Sequence, residues 1–119
     1  MGSFISENKH YYPTFWSGCN PIHEVKDWSY VRKLVRAAIR GEKIPAILLD
    51  GEVNSGSLLA GTHRCAANDI LKMLGKEQYL IDYVVYDAET ADEGLIDAVE
   101  SGDYGRIDEI WDRPHDASN

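Results

Sequence analysis

"LLAGTHRCAANDILKMLG", Leu58 to Gly75, decides how the chain folds. Gly61 is followed by Thr62, His63 and Arg64, and then by an apolar pattern. Ala66, Ala67, Ile70, Leu71 and Leu74 recur on one face of a helix. Gly75 ends that helix. The residues before it, Ser57 to Gly61, read as a short strand. The stretch therefore predicts a strand, a sharp corner and a helix. The first N–H groups of a helix lack partners within it and, with the macrodipole, favour an anion. Gly61 allows a ligand close to the backbone. Thr62 is a candidate N-cap, or its hydroxyl meets a phosphate oxygen. The planar fork of Arg64 suits two oxygens of one phosphate. His63 adds a donor whose charge depends on pH. Each feature alone is ordinary, since a glycine and threonine before a helix commonly serve as a cap and an arginine commonly sits at the surface. Their conjunction straight after a strand points to a phosphate site. Cys65, one residue further on, is expected to turn toward the core.

Working outward, Asp27 caps a helix in which Val31, Leu34, Val35 and Ala38 form the apolar stripe. Arg32, Lys33, Arg36 and Arg40 fall mostly off that stripe, as a solvated face does. Gly41 ends it. "IPAILLD", Ile44 to Asp50, reads as a buried strand. "GEVNSGS" is turn chemistry, with Gly51, Asn54 and Gly56. "YLIDYVVYD", Tyr79 to Asp87, is a third strand. "TADE", Thr90 to Glu93, reads as a capping box opening a helix to about Ser101. A last helix covers Tyr104 to Trp111. Residues 1–26 are aromatic-rich and loop-like, with a short strand near Ile22–Val25. The order is helix, strand, strand, helix, strand, then two helices: a small mixed α/β (α+β) domain.

The 119 residues fit one domain, 1–119. Residues 1–86 carry nine Asp/Glu against ten Lys/Arg; residues 87–119 carry eleven acids against Arg106 and Arg113 alone. The acidic helical segment, residues 88–114, disfavours direct nucleic-acid binding and offers a surface to a protein partner. No apolar run is long enough to span a bilayer, so no membrane association is expected. The opening MGSFIS fits a myristoylation pattern at Gly2 and Ser6, but no basic cluster follows to supply a second membrane signal. Cys19 and Cys65 are too few for a disulfide framework, and a cytoplasmic protein with reduced thiols is expected.

The corner carries a resemblance. "AGTHRCAA" after a strand resembles the G-x-x-R signature of the ParB/sulfiredoxin-like superfamily, in which that arginine opens a helix holding nucleotide phosphates. The similarity runs over about residues 20–87: "NP" at Asn20–Pro21, the amphipathic helix after it, "IPAILLDG", and the corner with Ala67 behind it. It implies a nucleotide-binding domain of ParB-like, sulfiredoxin-like fold, here as a single-domain member. The implied ligand is a nucleoside triphosphate, ATP or CTP, with Mg²⁺, bound by Gly61, Thr62, His63 and Arg64. The branches of that superfamily differ at the corner. Partition proteins carry Glu-Arg where this chain has Thr62-His63, sulfiredoxins a cysteine where it has Thr62, and serine kinases an aspartate where it has Ala60.

Phosphoryl transfer needs positioning, a metal and commonly a carboxylate. Asp50, Glu52 and His63 are therefore the candidate catalytic groups, with Glu24 a further acid near in sequence. Two activity classes follow: an NTPase or small-molecule kinase, and a module that binds without turnover. The alternative is a non-catalytic acidic protein-binding module, or a phage-type inhibitor that mimics nucleic acid. Cys19, His23, His63 and Cys65 include zinc-ligand types, but C-x-x-x-H with H-x-C is not a zinc spacing, and no metal-ligating residue is expected.

Overall fold

The computed structural model describes Pro13 and residues 24–51 and 57–117. The expected order of elements is present: α1 (Trp28–Ile39), β1 (Ile47–Asp50), β2 (Ser57–Ala60), α2 (Thr62–Met73), β3 (Tyr83–Val85), α3 (Glu93–Ser101) and α4 (Tyr104–Ala117). A 3-10 turn at Glu77–Tyr79 precedes β3. Among the described residues, these four α-helices and a three-stranded sheet make a small mixed α+β domain. No helix among them is long and apolar enough to cross a membrane.

The sheet order is β2-β1-β3, with β1 antiparallel to β2 and parallel to β3. Strand alternation sends Ile47 and Leu49 to one face, where they pack with Leu58, with Val31, Leu34, Val35 and Ala38 of α1, and with Cys65, Ala66, Ala67 and Leu71 of α2. Leu48 points to the other face and packs with Leu59, Ala60, Leu95, Ala98 and Ile107. One helix pair therefore covers each face of the sheet. The β1–β2 register slips: Leu48 faces Ala60 but Leu49 faces Leu58. Leu59 is the extra residue, and the bulge puts Leu59 and Ala60 together on the α3/α4 side.

Several boundaries differ from those expected. β1 begins at Ile47 rather than Ile44, and β2 ends at Ala60 rather than Gly61. β3 is only Tyr83–Val85, because Tyr79 closes the 3-10 turn instead of opening a strand. Leu74 stands at the C-cap of α2 and is 44% exposed, outside the buried stripe. The capping box does not form. Asp92 is the N-cap of α3, while Thr90 sits in the preceding turn with its hydroxyl donating to the carbonyl of Asp87. α4 runs on past Trp111 to Ala117. Glu24 to Asp27 form no strand, and Ile22 and His23 lie outside the described residues. Asp27 does cap α1, its carboxylate accepting from the N–H of Tyr30 at 3.1 Å.

A buried amide sets where β3 enters. The Asn68 side chain donates to the carbonyl of Ile81 at 3.0 Å and accepts from its N–H at 2.7 Å. Both groups of one peptide position are thus satisfied by a single α2 side chain. Asn68→Ala is expected to cost about 2–3 kcal/mol, since it leaves that N–H and C=O buried without partners. A urea denaturation series against wild type measures the loss.

Candidate functional site

Gly61 is the N-cap of α2, in the left-handed region at φ 109°. A side chain there would be strained, and a Cβ would lie 3.3 Å from Cα of Ile47. The glycine therefore lets the α2 start lie directly against β1. Thr62 is the first helical residue rather than the cap. It is 2% exposed, and its hydroxyl has no hydrogen-bond partner. The first turn of α2 contains no acidic residue and receives no side-chain cap.

Arg64 lies inside the protein. It is 2% exposed, the largest of the fully buried side chains among the described residues, and its Nη1 donates to the carbonyls of Pro45 at 2.9 Å and Ala46 at 2.5 Å. The reason is local. Ala46 precedes β1 at a level where β2 has already ended and turned into α2, so no ladder donor faces these carbonyls. A side chain one turn into α2 and directed toward its N-terminus reaches them. On the opposite side, the indole Nε1 of Trp111 also donates to Ala46. Nη1 is thus turned inward, onto backbone.

His63 is half-buried and faces α1. Its Nε2 accepts from the N–H groups of Asp27 at 3.1 Å and Lys26 at 3.3 Å. That nitrogen is therefore unprotonated, and the imidazole holds the start of α1 against the start of α2. Its ring lies tilted against Tyr30, with centroids 5.7 Å apart.

The structure does not bring Asp50 to this corner. The corner stands at the amino end of β1, near Ile47; Asp50 ends the strand, about 10 Å further along. Alternation also turns Asp50 to the α3/α4 face, whereas α2 packs on the other. Glu52 lies outside the described residues, as do Cys19 and His23; Cys65 is a buried free thiol in the core, as expected. No group of three His, Cys, Asp or Glu among the described residues is placed to hold a metal.

Beside the corner the structure shows a cleft of about 490 Å³ between α1 and residues 42–45. Its cations are Lys33, Arg36, Arg40 and Lys43; its one carboxylate, Glu42, is bound by Arg40 at 2.7–2.8 Å. Tyr30, against His63, lies at one part of the lining and Pro45, held by Arg64, at another. The sequence contains the signal: Lys33, Arg36 and Arg40 stand at i, i+3 and i+7, one stripe of the helix. The part supplied by Lys43 and Pro45 comes from the loop folding back, which spacing does not reveal.

A second cleft, of about 330 Å³, opens on the α3/α4 face between β3, the 87–92 turn and α4. Half-buried Tyr86 lies in its lining; partial burial, then the charges of Glu100, Asp50 and Asp87, hold its phenol above the usual range.

No family model, curated protein or solved structure matches this chain.

Arg64→Met keeps most of the stem and removes the donors. It is expected to lower the stability of the ligand-free protein by about 3 kcal/mol, where a surface arginine would cost under about 0.5 kcal/mol. The shift of the urea midpoint against wild type distinguishes the two.

Proposed function

We propose that this domain binds a nucleotide or another small phosphorylated ligand in the cleft between α1 and residues 42–45. The observation that carries the reading is electrostatic. In a chain of net charge -8, four of twelve Lys/Arg residues line one concavity, and the single acid among them is neutralised by Arg40. Such a focus of positive potential attracts an anion through a negative overall field. The first turn of α2, which contains no acidic residue, lies on the same side of the sheet, and its dipole favours the same charge.

In this reading Lys33, Arg36 and Lys43 contact phosphate. His63 and Arg64 position the corner rather than touch the ligand. The resemblance to the ParB/sulfiredoxin-like superfamily supports the ligand class. The cleft lining offers no free carboxylate to hold Mg²⁺, so the ion would arrive on the phosphates of ATP or CTP themselves. Asp50 stands at the far end of β1 from this cleft, and the reading offered is one of binding.

Calorimetric titration with ATP, CTP, GTP and ADP, each with Mg²⁺, tests it. Wild type is expected to bind at least one of them, and the double variant Arg36→Ala, Lys43→Ala to bind it at least about tenfold more weakly while folding normally. Asp50→Asn should leave affinity unchanged. A folded wild type that binds none of the four, or binding that ignores the double variant, overturns the proposal. Phosphate release from the bound triphosphate then separates turnover from simple binding.

A further inference from the structure

β3 is an edge of the sheet as described, and its backbone orientation follows from the parallel ladder. Ile47 N–H donates to the carbonyl of Asp82 at 2.8 Å, and Tyr86 N–H donates to the carbonyl of Leu49 at 2.6 Å. Alternate residues bond in such a ladder, so Val84 lies between these two bonds and also turns its peptide groups to β1. Val85 turns its N–H and C=O to the open side. The side chains of β3 are exposed, Tyr83 at 39%, Val84 at 44% and Val85 at 41%. An exposed apolar edge of this kind is a template for another strand.

The 330 Å³ cleft continues the edge on the α3/α4 face. Its floor and walls include Leu48, Leu95, Ile110 and Trp111, and its only charged lining residues are Asp87 and Asp92. The charges of Asp50 and Glu100 reach Tyr86 in the same place. These carboxylates give the cleft negative charge, and Asp82 flanks the strand at its other end.

We propose that the β3 edge and this cleft take an extended segment of another protein as an added strand, apolar at alternate positions and bearing lysine or arginine around them. Backbone pairing at Val85 supplies registry, the cleft receives an apolar side chain, and Asp82, Asp87 and Asp92 select for cations. The same charges argue against a second copy. Antiparallel pairing of β3 with itself about Val85 would set Asp87 of one chain opposite Tyr83 of the other, diagonally beside its Asp82, and like charges across strands repel. This proposal concerns the face opposite the phosphate cleft and stands independently of it.

The probe is a capped peptide alternating lysine and valine, with its glutamate-for-lysine twin as control, titrated into the full ¹⁵N-labelled chain. The lysine peptide is expected to shift the amide of Val85 and the signals of Val84 and Asp87, and to bind at least about tenfold more tightly than the twin. Val85→Pro removes the outward N–H and should abolish the effect. Asp87→Lys with Asp92→Lys, at exposed positions, keeps a folded reference and should reverse the preference between the peptides. Equal binding of both peptides, no shifts at β3, or shifts confined to the α1 cleft overturn the proposal. So does concentration-dependent broadening at β3 without peptide, which would make the occupant a second copy.

Discussion

The carbonyl oxygens of Pro45 and Ala46 are the point on which this domain turns. They sit where the antiparallel ladder has run out, because β2 ends at Ala60 and the chain folds into α2. Buried carbonyls without donors cost of the order of 1–3 kcal/mol each. Arg64 answers both from one side of the sheet and Trp111 answers Ala46 from the other. A buried guanidinium is itself expensive to desolvate, and the two fixed backbone acceptors that meet Nη1 offset part of that cost. α2 is thereby fastened to β1, and α4 to the same atom from the opposite layer.

Gly61 belongs to the same arrangement. Its left-handed backbone makes the corner, and its missing side chain lets that corner lie against Ile47. Glycine and arginine at the ends of G-x-x-R therefore each have a reason to be present that involves no ligand: one permits close approach, the other satisfies the carbonyls so approached. A resemblance in these positions speaks first to architecture, and activity must be argued from the accessible groups around it. In this chain those groups are the cations of α1 and Lys43 on one side of the sheet, and the acids around β3 on the other. The charge asymmetry seen along the sequence becomes an asymmetry between two faces.

Element order, the cap at Asp27, the inward turn of Cys65 and the buried stripe of α1 were legible in the sequence, because each rests on local spacing or a local backbone need; the cap of α2 was read one residue late, at Thr62 instead of Gly61. The length of β3 was not. Its β-forming residues extend from Tyr79 to Asp87, but only three of them meet β1, since a tertiary contact through Asn68 fixes where the strand begins. The box at Thr90–Glu93 failed for a similar reason: Asp87 draws the Thr90 hydroxyl into a turn. The site was less legible than the fold. Residue types marked Arg64 and His63 as ligand-facing, yet their direction depends on unpaired backbone at Ala46 and Asp27, distant by 18 and 36 positions. Likewise the turn between β1 and β2 put Asp50 near the corner in sequence, while alternation and antiparallel pairing put it at the other end in space.

The oxygen of Ala46, shared between layers, has an optical consequence. An indole whose N–H is engaged at a buried carbonyl emits according to that bond and to the polarity around it. Trp111 is therefore an intrinsic fluorophore attached to the clamp. A displacement of Ala46 or of the guanidinium beneath it would register as a wavelength change from the far layer of the molecule, without any label being attached.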